Sequence, residues 1–121
     1  MKKSIVLILL LASFVTCKKG NDGKDVEAPV VMITAPLNLQ TFSAGQNIPI
    51  VATITDNDTL SSVHLNIEGP DFIHYAYTGS GQSQNISEDI PISISGKYNI
   101  TIEGIDKAGN HGHAKVDITV N

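Results

Sequence analysis

Along Asn47–Thr55 the chain places Ile48, Ile50, Ala52 and Ile54 at every second position, with Asn47, Val51, Thr53 and Thr55 among the residues between them. Successive strand side chains point to opposite faces, so this spacing builds one apolar face and one more wettable face. A helix, with its repeat of 3.6, would scatter the same residues around its circumference. The two-residue period returns in Val63, Leu65 and Ile67 against His64, Asn66 and Glu68. It returns again in Ile90, Ile92 and Ile94, in Tyr98, Ile100 and Ile102, and in Ala114, Val116, Ile118 and Val120. Val30–Ala35 adds a β-branched run at the front, and Asp71–Thr78 carries Phe72, Tyr75 and Tyr77. Turn residues such as Gly69-Pro70 and Gly79-Ser80-Gly81 separate the runs. About seven strands, recurring roughly every 8–12 residues, predict an all-β sandwich. Pro49 falls on the outer face and has no N–H to donate, so strand pairing there should be interrupted or lie at an edge.

The N-terminal segment has a different grammar. Met1, Lys2 and Lys3 precede an almost wholly apolar run, Ser4–Val15. A basic start and an apolar stretch of about a dozen residues read as a secretory signal, and the stretch is short of the roughly 20 residues that span a bilayer. Cys17 is the only cysteine, so no internal disulfide can form. Its position at the signal boundary, in Phe14-Val15-Thr16-Cys17, resembles a bacterial lipobox, although strict versions carry Leu in place of Phe14 and Gly, Ala or Ser in place of Thr16. The resemblance implies that Cys17 becomes the first mature residue and carries acyl chains, each buried methylene adding about 0.8 kcal/mol of membrane affinity. The expected organisation is therefore a lipoprotein signal peptide over 1–16, a lipidated cysteine and flexible tether over 17–27, and one domain over 28–121. The expected location is the bacterial cell envelope, with the outer membrane favoured.

The same cut shapes the charge. Of eight basic residues, all lysine, Lys2 and Lys3 leave with the signal, so six face twelve acids and the mature chain carries about six negative charges. A negative surface excludes nucleic acid as the natural partner.

Gly96-Lys97-Tyr98-Asn99-Ile100 has the G-x-Y-x-apolar spacing that opens strand F of immunoglobulin-like domains. There the tyrosine hydroxyl bonds to upstream backbone and closes a corner. Ile100 stands where antibody domains place a cysteine. Glu103–Asn110 resembles the A-x-D-x-x-G-N hairpin between strands F and G of bacterial immunoglobulin-like repeats. The resemblance runs over about Ala28–Asn121 and implies a Greek-key sandwich of antiparallel strands in a small bacterial lipoprotein. It implies a fold more than an activity, because sandwiches host many functions.

In that topology the B–C and F–G loops share one end. Asp56 and Asp58 fall in the first and Asp106 and Asn110 in the second, an oxygen-rich set of the kind Ca²⁺ favours; ordinary turn capping by Asp and Asn explains the same residues. On the outer face of strands C, F and G, His64, Glu103 and His113 should form a row beside His111. That donor set suits Zn²⁺, provided the register does not slip by one. Phe72, Tyr75 and Tyr77 are either a platform for a sugar or protein partner, or half core. A protein or glycan partner at the B–C/F–G end is expected, loops being free to vary on a rigid scaffold. No nucleophile elbow, P-loop or zinc-protease motif is present, and Glu88-Asp89, adjacent in a strand, point to opposite faces, so no enzymatic chemistry is expected.

Overall fold

The computed structural model describes residues 23–121. The signal segment and Cys17 lie outside the described residues. Eight strands form: β1 Val30–Ala35, β2 Gln40–Phe42, β3 Asn47–Thr55, β4 Leu60–Glu68, β5 Phe72–Thr78, β6 Ser83–Pro91, β7 Gly96–Asp106 and β8 His111–Val120. They make a three-stranded sheet, β1-β3-β6, and a five-stranded sheet, β2-β8-β7-β4-β5. In immunoglobulin terms β3, β4, β7 and β8 are strands B, C, F and G, and C, F and G do share a sheet.

The alternation seen in the sequence is the alternation of burial. Ile48, Ile50, Ala52 and Ile54 on β3 meet Val63, Leu65 and Ile67 on β4 and Tyr98, Ile100 and Ile102 on β7, all at most 2% exposed. Phe42, Leu60, Ile86, Ile90, Ile92, Ile118 and Val120 complete the core, with Val31, Ile33, Ile73, Tyr77 and Val116 packed at its margin. Burying a side chain of this size contributes about 1.5–3 kcal/mol.

Two details depart from the sequence reading, the strand count and Ile94, while the corner and the edge at Pro49 agree with it. There are eight strands rather than about seven, and the extra one, β2, runs parallel to β8 through Gln40–Ile118, Thr41–Thr119 and Phe42–Val120. Three residues are too few for a two-residue period to register. Ile94 ends the alternation that Ile90 and Ile92 begin; it lies beyond β6 and is 49% exposed. Its role is carried by its backbone, since the Tyr98 hydroxyl donates to the Ile94 carbonyl at 2.8 Å. That bond is the corner expected from Gly96-Lys97-Tyr98. Pro49 pairs across to Asp89 on β6, while β1 stops at Ala35 opposite Val51, so β3 is an edge on its β1 side at the proline.

Tyr98→Phe keeps the ring in the core but leaves the Ile94 carbonyl without its donor. Chemical denaturation should show a loss of about 1 kcal/mol at unchanged m value; full retention of stability would remove the corner from the account of this fold.

Candidate functional site

The inward row of β7, Tyr98, Ile100 and Ile102, continues through Gly104 to Asp106. A Cβ on Gly104 would come within 2.8 Å of Ile54 Cγ2 and 3.2 Å of Pro29 Cβ. Gly112, its partner on β8, is tighter still, its Cβ position lying 1.8 Å from the Pro29 carbonyl oxygen. Two facing glycines thus clear a channel on the inner sheet face, and the chain leading into β1 runs through it with Pro29 buried. That path carries the preceding residues to the end where the β3–β4 and β7–β8 loops meet.

At that end Asp25 docks between both loops. Asn57 Nδ2 donates to Asp25 Oδ1 at 2.9 Å, and Asn110 Nδ2 donates to the Asp25 carbonyl at 3.0 Å. Asn110 also donates its backbone N–H to Asp106 Oδ1 and its side-chain N–H to Asp106 Oδ2, both at 2.9 Å. Gly109, with φ of 87°, allows the tight return of the β7–β8 turn that places Asn110 there. On the other loop, Asp58 donates its backbone N–H to Asp56 Oδ2 at 3.2 Å, an Asx turn.

Asp25, Asp56 and Asp106 consequently present one carboxylate oxygen each within 4.8 Å of one another. Asp106 is 2% exposed and is the one buried charged residue among the described residues. Asp25 Oδ2 and Asp56 Oδ1 are closed to solvent and accept no hydrogen bond. Burial raises the Asp56 carboxyl above its ordinary value of 3.8; the Asp58 amide opposes this, and repulsion from Asp106 and Asp25 adds to it. Burial pushes Asp106 upward, but the side-chain and backbone N–H groups of Asn110, together with hydrogen bonding to Asp25 and the Ala108 amide, hold the group below its ordinary value.

Of the four oxygen-bearing residues singled out in the sequence, Asp56, Asp106 and Asn110 come together, while the Asp58 side chain is exposed and contributes only its backbone N–H. Asp25 was missed because it sits in a polar stretch with no periodicity. The available signal was Gly104 opposite Gly112, two inward positions left empty for another segment.

The histidine row has the expected register, His64 opposite Glu103 and Glu103 opposite His113. Its donor atoms do not gather. His111 Nδ1 pairs with Glu103 Oε1 at 3.0 Å, and His64 stacks on His74 with ring centres 5.6 Å apart. Among the described residues, the three aspartates are the only group of three such donors that close. The aromatic stretch divides. Ile73 and Tyr77 turn inward, Tyr77 donating to Glu88 Oε1 at 2.9 Å; burial and that carboxylate push its hydroxyl pKa well up. Phe72, 62% exposed, lies parallel to His74 on the outer face.

A family model described as bacterial Ig domain matches residues 29–111. The chain belongs to that family. A comparison with curated proteins finds no significant match. Among solved structures, the fibronectin(III)-like modules of Clostridium thermocellum CbhA superpose with a TM-score of 0.56 at 24% identity, over 74% of this chain and 93% of that one. OgpA from Akkermansia muciniphila gives 0.57 at 13% identity, over 79% of this chain and 30% of that one. A superoxide reductase from Ignicoccus hospitalis gives 0.52 at 12% identity, over 83% and 84%. The family match and these likenesses together show an immunoglobulin/fibronectin-type sandwich, a fold that is typically non-enzymatic.

Two outcomes follow for this domain. Gly112→Ala must displace the Pro29 carbonyl and should cost about 1–3 kcal/mol in denaturant unfolding. The second concerns Asp56. Its folded-state pKa is raised, so its contribution to stability falls as pH rises from about 3.8 through the folded value, and stays unfavourable above it. Asp106 runs the other way, its contribution being present above the carboxylate range and lost as pH falls through its lowered value. In chelator at pH 7, Asp56→Asn should therefore be more stable than the parent by thermal unfolding. The gap should close as the pH approaches 3.

Proposed function

We propose that this protein is a lipid-anchored cell-envelope module, held by acyl chains on Cys17 and using its bacterial Ig domain as a binding or adhesion-type surface for a protein or glycan. The anchor rests on the charged start, apolar run and boundary cysteine of the sequence. From Cys17 to Asp25 the chain reaches about 26–29 Å when fully extended, so the end bearing the β3–β4 and β7–β8 loops stays near the bilayer. That end also receives the tether, which leaves the outer surface of the five-stranded sheet as the better contact face.

The observation that carries the binding reading is β5, an edge strand of its sheet among the described residues. Its sequence, FIHYAYT, has no charge and no proline, the two devices that commonly protect a free strand edge. Phe72 stacks parallel to His74 at 6.5 Å with an interplanar angle of 3°, and His74 stacks on His64. An exposed ladder of rings beside unpaired backbone groups offers flat apolar area and hydrogen bonds together, as recognition surfaces do.

Two experiments on intact cells test the reading. Cys17→Ala should move the protein from the membrane to the soluble fraction and abolish incorporation of a labelled fatty acid; continued membrane partition would remove the anchor. A photoreactive residue at position 72 should give a discrete crosslinked product, whereas one at Met32, 61% exposed on the other sheet, should not. Equal labelling at both positions would mean that β5 is ordinary surface.

A further inference from the structure

Among the described residues the two sheets end in four free strand edges, those of β1, β6, β2 and β5. Three of them carry a device that discourages pairing with another chain. β1 loses register between Ile33 and Ala35 and lies between Pro29 and Pro36. β6 carries Glu88, Asp89 and Pro91, and β2 has only three residues. β5 runs for seven residues without a charge, a proline or a bulge. Protection at the other edges and its absence here mark β5 as the edge kept open.

The pairing with β4 decides which backbone groups that edge offers. The Gly79 N–H donates to the Ser61 carbonyl at 2.8 Å, and the Gly69 N–H to the Asp71 carbonyl at 3.1 Å. In an antiparallel ladder, residues bonded across alternate with residues that are not. With this register Ile73, Tyr75 and Tyr77 bond to β4, while Phe72, His74, Ala76 and Thr78 aim their backbone groups outward. The domain itself closes both ends of the outward row. Asp71 Oδ1 accepts from the Phe72 N–H at 2.8 Å, and Gln84 Nε2 donates to the Thr78 carbonyl at 3.4 Å. Between those ends, the N–H groups of His74, Ala76 and Thr78 and the carbonyls of Phe72, His74 and Ala76 are left for an incoming strand. The inward row is incomplete as well. Tyr75 stacks on Tyr77 with ring centres 6.5 Å apart, yet it stays 39% exposed, an inward ring that the described strands leave partly uncovered.

Charge selects the occupant. From Asp25 to Gly96 the chain has no lysine and no arginine. Carboxylates flank the edge instead: Glu68 opposite Phe72, Asp71 just before it, and Glu88, which accepts from the Tyr77 hydroxyl. We propose that β5 receives an extended, lysine- or arginine-bearing segment of a partner protein, which pairs with it backbone to backbone as a further strand of the sheet and covers Tyr75. In such strand addition main-chain hydrogen bonds supply affinity, and side chains at alternate positions supply selectivity. A glycan lacks the regular peptide spacing of donors and acceptors that this row needs. A second copy of this chain would bring more carboxylates and no cation to the edge. Strand addition rests on β5 being the contact face, and it specifies the partner as a peptide.

The test selects from random linear peptides displayed against the full chain in detergent, and follows hydrogen exchange with the enriched ones bound. These should combine β-branched residues with lysine or arginine, and should protect the His74, Ala76 and Thr78 amides. N-methylating alternate residues of such a peptide should weaken binding about tenfold or more on one parity and little on the other, since only one parity faces β5. That comparison leaves the domain itself unaltered. Ala76→Pro removes one outward N–H without taking a bond from β4, and should weaken the same peptides by a similar factor. Enrichment of acidic peptides, indifference to N-methylation on both parities, or no enriched peptide would overturn strand addition. So would a dimer in sedimentation that Ala76→Pro abolishes, which would give the edge to a second copy. If the crosslink from position 72 persists in Ala76→Pro, strand addition fails while the ring platform stands; its absence in the parent chain removes the β5 reading itself.

Discussion

Ten isoleucines leave the water between the two sheets, and every other feature of this domain depends on that burial. With no disulfide and no tryptophan in the chain, the sandwich is held by close-packed aliphatic side chains and by the strand ladders that position them. Isoleucine suits the task twice over. Its branched Cβ is stiff on a pleated strand, so little rotamer freedom is lost on packing, and its volume fills the space between inner faces. Tyr98 adds an aromatic ring to the core beside that of Phe42 and fastens the corner before β7 through its hydroxyl.

The same packing explains how a charged residue comes to lie at the end of the core. The inward face of β7 does not stop where the sheets part; its next inward positions are Gly104 and Asp106. Gly104 and Gly112 give up their side chains so that the incoming chain can cross the sheet at Pro29. Asp106 then meets that chain and the β3–β4 loop together. The acidic cluster is therefore a product of strand periodicity carried one step past the hydrophobic layer, joined by a segment that the glycines admit.

This geometry divides the molecule functionally. One end gathers the tether, the two loops and three carboxylates. The side formed by β5 is neutral and presents stacked rings next to a free strand edge. The net negative charge of the chain keeps such an exposed edge from unspecific association with other acidic surfaces.

The amino-acid sequence by itself determined the strands other than β2, the buried faces of β3, β4, β7 and β8, the tyrosine corner and the proximity of Asp56, Asp106 and Asn110. The strands and their faces follow from a local period of two, while the corner and the meeting of the loops were what the resemblance to immunoglobulin-like domains implied. The register of His64, Glu103 and His113 was legible for the same reason. Whether those donors converge was not, because ring stacking with His74 and the pull of Glu103 on His111 act across strands. Tertiary structure alone decided that β2 runs parallel to β8, that β5 forms an open edge, and that Asp25 leaves its polar stretch to dock 85 residues from Asn110. A contact at that separation has no trace in local periodicity; only the channel cleared at Gly104 and Gly112, once the sheet has formed, gives Asp25 its place.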